Sequence, residues 1–161
     1  MKHLILLLSI IALSSCSVAK YSQFHQNKTL DGYHYFYVNE TSSLTSGHGL
    51  VLGGSYGIGG GSTSNSVNPA DVITGYMVKH GFVRVASDDE KHINQTIRIT
   101  CGESGRISYG LGSSALEMTI QFIDASNEEI ILTSTAAGFG ETLGDDVRIA
   151  IKHCMENIFG K

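Results

Sequence analysis

The chain has 161 residues and a formal net charge of −4 at pH 7, and 42% of its residues are hydrophobic. The charge is slight and is spread along the chain, so no basic surface favours nucleic acid as a partner. Without the amino-terminal segment described next, about 145 residues remain, which is enough for one domain with its own core.

The amino-terminal segment has the features of a secretion signal. A short basic start precedes the apolar run 4–13, which is too short to cross a bilayer core, since that takes roughly 20 residues. The run ends in Leu13-Ser14-Ser15-Cys16, which resembles the bacterial lipobox, where a signal peptidase cuts before a cysteine that is then lipidated. We therefore expect residues 1–15 to be a signal peptide and Cys16 to carry a lipid anchor with palmitate. The alternative is an ordinary signal peptide with a chance cysteine.

The expected location is the outer membrane, with the protein facing the periplasm. Ser17 follows the expected lipidated cysteine and no acidic run comes behind it, a pattern that favours outer-membrane retention. Nothing later in the sequence is long and apolar enough to span a membrane. The mature protein is therefore predicted to be a globular domain held to the membrane by its lipid.

The next elements in chain order are a tether, a strand and a loop. The polar stretch 16–32 is expected to be an irregular tether, and the aromatic run 33–38 predicts the first strand. The stretch 41–67 is dominated by Gly and Ser, and each glycine is costly to order, so it predicts a loop. The folded domain is expected to cover 33–161.

Helix signals follow this loop. Asn68 is a good N-cap, Pro69 suits the first helical position, and apolar residues recur at helical spacing until Gly81 ends the helix. The runs 82–85 and 96–101 then predict two strands.

The last part of the chain predicts a hairpin and a closing helix. The stretch 102–112 is expected to be a glycine-rich connection, and 116–123 and 129–136 predict two antiparallel strands. Asp145 and Asp146 open the final helix, where the helix dipole favours negative charge. The predicted fold is α+β, a mostly antiparallel sheet of about five strands with two helices packed on one face.

Two cysteines remain after Cys16. Cys101 and Cys154 are both expected to face the core, from a strand and from the last helix. The cell envelope permits disulfides, so a Cys101–Cys154 bridge is one interpretation, and two buried free thiols acting as small apolar side chains is the other. Neither has the spacing of a metal site, and the histidines do not cluster, so no metal and no cofactor are expected.

The sequence resembles a family of Gram-negative envelope lipoproteins of unknown function. The resemblance lies in the lipobox, in Gly81-Phe82 at the helix end, in the strands 96–100 and 120–125, and in Ile158-Phe159 at the close of the last helix. The layout is also similar to that of the curli-secretion lipoprotein and the TolB amino-terminal domains, which scaffold and bind. The resemblance implies a binding or scaffold module with no catalytic residue.

The best candidate for a binding rim lies at one end of the predicted sheet. Glu103, Ser104 and Arg106 fall in the glycine-rich connection, and Tyr56 falls in the Gly/Ser loop. Glu103 and Arg106 are also expected to form a surface ion pair, worth under about 1 kcal/mol.

The alternative function is a serine hydrolase. Gly53-Gly54-Ser55-Tyr56-Gly57 fits the Gly-x-Ser-x-Gly nucleophile elbow, which requires a strand before it and a helix after it. Here more Gly and Ser follow, so the match is expected by chance. We predict a non-enzymatic lipoprotein that binds an envelope protein or a cell-wall partner, or that is a subunit of a larger envelope assembly.

Overall fold

A computed structural model of the chain describes residues 22–39, 67–110 and 113–160. The predicted signal peptide, the expected lipidation site Cys16, and the residues Ser55 and Tyr56 of the predicted Gly/Ser loop lie outside the described residues. Within the described ranges, no helix is long and apolar enough to cross a membrane.

The described residues form one six-stranded sheet and two α-helices, in the spatial strand order β1-β6-β5-β4-β2-β3. In chain order the elements are β1 (Ser22–Gln26), β2 (Tyr35–Val38), α1 (Pro69–Lys79), β3 (Val83–Arg84), a 3-10 helix (Glu90–Gln95), β4 (Thr96–Gly110), β5 (Ser113–Asp124), β6 (Ile130–Gly138) and α2 (Leu143–Phe159).

The α+β class is confirmed, but the prediction of a mostly antiparallel sheet of about five strands was wrong. Strands β4, β5, β6 and β1 pair antiparallel, whereas β2 pairs parallel with both β4 and β3. The sheet is therefore mixed and has six strands. The reason is the crossover through α1, which returns the chain in its original direction, as a parallel pair requires.

Helix α1 begins and ends as its sequence predicts. The Asn68 side chain accepts a hydrogen bond from the amide of Ala70 at 3.0 Å, and Pro69 occupies the first turn. Gly81 follows the helix with φ +87°, the left-handed conformation that glycine adopts most readily. The helix buries Ile73 and Met77, which lie one turn apart on the same face.

Helix α2 covers the half of the sheet that is formed by β1, β6 and β5. It begins after Thr142, whose hydroxyl accepts from the amide of Asp145 at 3.2 Å. It contacts β6, β5 and β1, while α1 contacts β2, β3 and α2. Together the two helices and the sheet enclose one core, in which each fully buried large side chain contributes about 1.5–3 kcal/mol. Its largest members include Phe36, Phe122, Ile73, Met77, Leu116 and Ile151.

Two further segments differ from expectation. Strand β1 lies inside the stretch 16–32 that was expected to be irregular, because its backbone pairs with the edge of β6. Strand β4 continues through most of the expected connection 102–112, because two register shifts near Ser104 and Tyr109 accommodate the glycines without ending the pairing with β5.

Gly138 controls how closely α2 approaches β6. A methyl group at this position would collide with the carbonyl oxygen of Asp146 and would lie 2.5 Å from the amide nitrogen of Ala150. We expect Gly138→Ala to lower the free energy of unfolding by about 1–3 kcal/mol, because a well-packed interface does not absorb an added group. Urea denaturation followed by circular dichroism measures this.

Gly75→Ala is the matched control. A methyl group there meets nothing within 4 Å. Gly75 lies inside α1, so alanine should raise stability by about 0.5–1 kcal/mol. Equal effects of the two substitutions would contradict the packing argument.

Candidate functional site

The candidate site is an open groove along β4 and β5 that includes side chains on the face of the sheet opposite the helices. Side chains alternate along each strand, so the burial of Ile99 and Ile120 against the helices places Thr100, Thr119 and Gln121 on the other face. The groove has a volume of about 460 Å³ and is lined by Thr100, Cys101, Gly102, Glu103, Ser104, Thr119 and Gln121.

Three of the four predicted rim residues come together here. Glu103 and Ser104 line the groove, and the Arg106 Nε donates to Glu103 Oε1 at 3.1 Å, which confirms the expected ion pair. The Ser104 hydroxyl donates to Glu117 Oε1 at 2.9 Å. The fourth, Tyr56, lies outside the described residues.

The groove is suited to hydrogen bonding rather than to nucleophilic chemistry. Its lining offers threonine hydroxyls and the Gln121 amide, and the hydroxyls of Thr119 and Thr135 form a cross-strand hydrogen bond of 2.7 Å. Ser104 is held by a carboxylate, and in the described ranges no histidine hydrogen-bonds its hydroxyl. These side chains can bind a polar ligand by donating and accepting hydrogen bonds.

An Asp–His pair near the 3-10 helix was missed by the sequence analysis. Asp89 Oδ2 lies 2.9 Å from His92 Nδ1, and the His92 ring lies 4.2 Å from the Tyr35 ring. The hydrogen bond from His92 lowers the pKa of Asp89 below its usual value. Asp89 also accepts from the amide of Lys91 and so caps the 3-10 helix. The Asp-x-x-His spacing is the signal that could have found the pair.

Asp89 also lines a second cleft of about 250 Å³. The other lining residues include Tyr37, Asp88, Glu90 and Thr96. Thr96 is buried and its hydroxyl donates to the carbonyl of His92. The Asp89–His92 pair holds the His92 ring in place, and that ring packs against Tyr35 of β2. In this way the 3-10 helix is packed against β2. Within the described part of the chain, no group of three or more His, Cys, Asp or Glu residues could hold a metal ion.

A second cluster, also missed by the sequence analysis, fixes the turn between β5 and β6. The Tyr33 hydroxyl donates to Asp124 Oδ2 at 2.7 Å, and the amide and hydroxyl of Ser126 donate to Asp124 Oδ1. Burial and the bond to Asp124 raise the pKa of Tyr33 to about 12. Burial of Asp124 acts to raise its pKa, but hydrogen bonds from Ser126 and Tyr33 outweigh that effect and lower it.

Cys101 and Cys154 are not joined by a disulfide in the structure. Cys154 is buried, and its Sγ donates to the carbonyls of Met118 and Ser134 at 3.5 Å. Burial, with a smaller effect of Cys154, raises the pKa of the Cys101 thiol to about 12. The Cys101 thiol is therefore a poor nucleophile.

Asp146 is a buried acid in the first turn of α2. It is 9% exposed, and its Oδ1 accepts from the amide of Gly140 at 2.5 Å. Burial raises its pKa, and the Gly140 bond and the charge of Arg106 oppose that effect.

No family model and no curated protein matches the chain. Solved structures do match. A single-substitution variant of the PelC dodecamer from Paraburkholderia phytofirmans is 12% identical, with a TM-score of 0.50, over 88% of this chain and 99% of that chain. Another crystal form of the PelC dodecamer from the same organism is 13% identical, with a TM-score of 0.48, over 87% and 96% of the two chains. At such identities the first likeness shows a related fold alone.

The Tyr33–Asp124 cluster predicts how stability depends on pH. Asp124→Asn keeps the shape but removes the charge that accepts these bonds, so we expect the free energy of unfolding at pH 7 to fall by about 1–3 kcal/mol. The folded-state pKa of Asp124 is lowered, so its contribution is complete above the unfolded value of about 3.9 and is lost as pH falls through the folded value. The difference between wild type and variant should therefore shrink as pH falls below about 4 in urea denaturation.

Asp146→Asn is a control for which we expect the opposite dependence of stability on pH. Its folded-state pKa is raised, so the native state holds the proton more tightly and the wild type loses stability as pH rises above about 3.9. The asparagine keeps the acceptor for Gly140, and this variant should gain relative stability over that range. Parallel pH profiles for the two variants would contradict both assignments.

Proposed function

We propose that this chain is a lipid-anchored envelope protein, with no enzymatic activity, whose domain binds or scaffolds a partner. In this proposal Cys16 carries the lipid, and the domain faces the periplasm from the outer membrane. The partner is an envelope protein or a cell-wall component. The observation that carries the binding role is the groove along β4 and β5, because its hydroxyl and amide groups are suited to holding a polar surface.

The resemblance to Gram-negative envelope lipoproteins supports the same role. That family implies a scaffold or binding module, and the residues quoted for it include the lipobox and the close of the last helix. The fold likeness alone carries no function, since one fold hosts many activities.

The anchor is tested by acylation. In cells grown with labelled palmitate, the wild-type chain should take up label and remain with the membranes after a high-salt wash. Cys16→Ala should lose both, because acyl chains stabilise membrane association by about 0.8 kcal/mol per buried methylene. Wild type without label, or a Cys16→Ala chain that still fractionates with washed membranes, would overturn the anchor.

The groove is tested by photocrosslinking in cells. A photoreactive amino acid at Gln121, which lines the groove, should give one fixed crosslinked product in gels analysed by mass spectrometry. Lys152 is the matched control, because its side chain is 57% exposed on α2, away from the groove. Equal crosslinking from both positions, or none from Gln121, would contradict a partner in the groove.

A second candidate function, a subunit of a larger envelope assembly, is favoured by one observation. The structure with a related fold is itself a dodecamer. The hydrolase alternative is tested separately: stoichiometric labelling of Ser55 by a fluorophosphonate probe would overturn the non-enzymatic proposal.

A further inference from the structure

Strand β1 ends the sheet with an edge to which no described strand is bonded. It pairs on one side with β6 and has no other strand neighbour in the described ranges. All five of its residues are exposed. An edge of this kind presents a row of backbone N–H and C=O groups that can pair with another chain.

The direction of these groups follows from the register. The amide of Asn27 donates to the carbonyl of Ile131, so Asn27 and Ile131 form a hydrogen-bonded pair. Because such pairs alternate along an antiparallel ladder, Gln23 and His25 also bond to β6. The backbone groups of Ser22, Phe24 and Gln26 therefore point away from the sheet.

Strand β1 lacks the devices that usually protect an edge. Its sequence is Ser-Gln-Phe-His-Gln, with no Lys, Asp, Glu or Pro and no bulge. The opposite edge, β3, is only two residues long and carries Arg84. The edge of β4 beyond its pairing with β2 is interrupted by register shifts and carries Glu103 and Arg106.

We propose that β1 is an interface for a second copy of this chain, which pairs antiparallel with β1 about a two-fold axis at Phe24. This inference goes beyond the proposed function and does not rest on the lipid anchor. With Phe24 opposite the partner's Phe24, and Ser22 opposite the partner's Gln26, the outward groups of the two strands face each other. About six backbone hydrogen bonds form, and the two sheets become one continuous sheet.

The side chains suit this register. Phe24 lies opposite Ser134, which is buried on the helix side of the sheet, so Phe24 lies on that side as well. It is 43% exposed in the single chain, and the two-fold axis brings the two rings together. Strand β1 contains no Lys, Arg, Asp or Glu, so none of these charged side chains opposes another of like charge in this register.

The proposal is tested first by crosslinking the full chain in membranes. At a hydrogen-bonded pair the two Cα atoms are about 5.5 Å apart, within the range of roughly 4.4–6.8 Å that a disulfide spans. Phe24→Cys should therefore give a reducible dimer under mild oxidation. Val83→Cys is the control, because Val83 is 54% exposed on the opposite edge. Wild type reports any background from Cys101 and Cys154.

A proline variant separates pairing from folding. The N–H of Phe24 points outward, so Phe24→Pro removes no bond to β6, and edge strands tolerate proline there. We expect it to leave the urea midpoint unchanged and to weaken dimerisation at least about tenfold in light scattering of the detergent-solubilised chain. His25→Pro removes a bond to β6 and should lower the midpoint.

The outcomes are distinct. A wild-type dimer, a Phe24→Cys crosslink and a folded monomeric Phe24→Pro variant support the interface. A wild-type monomer at every concentration, or a dimer that Phe24→Pro leaves intact, overturns it. Crosslinking through Val83→Cys as strong as that through Phe24→Cys also overturns it, because the contact would then not be specific to β1.

Discussion

Helix α2 lies directly on β6 because Gly138 has no side chain at the point of closest approach. Around this point the contacts are polar as well as apolar: the Ser134 hydroxyl donates to the carbonyl of Cys154, and His153 Nδ1 lies 2.9 Å from the carbonyl of Ala137. These contacts fix both the distance between α2 and β6 and the rotation of α2 about its own axis. Because the helices fill this face of the sheet, Thr100, Thr119 and Gln121 are left on the opposite face, where they line the groove.

The sequence predicted the features that depend on local chemistry. The caps at Asn68 and Gly81 and the first turn of α2 need only neighbouring residues, and the structure has them where they were predicted. The parallel direction of β2 was not predictable, because an alternating pattern reads the same in either direction. Strand β1 was missed for a related reason: its exposed polar residues carry no pattern, and only pairing with β6 makes it a strand.

The contacts of the candidate site also fall into those that local spacing predicts and those that depend on the folded sheet. Glu103 and Arg106 are three residues apart, so their ion pair could be predicted from spacing, and so could the Asp89–His92 contact had that spacing been considered. The Tyr33–Asp124 bond joins residues far apart in the chain and depends on the whole sheet being assembled. Gln121 and Thr119 belong to the groove only because β5 lies beside β4. No local sequence pattern predicts that pairing.

The parallel placement of β2 between β4 and β3 has a consequence for the order of folding. Tyr35 pairs with Thr96 and Val38 pairs with Ile99, so this part of the sheet joins residues that are far apart in the chain. Pairings between distant residues form slowly, because chain entropy must be lost before the new contacts stabilise the fold. Strands β5 and β6 join residues that are close in the chain, so their pairing should form before β2 is added to the sheet.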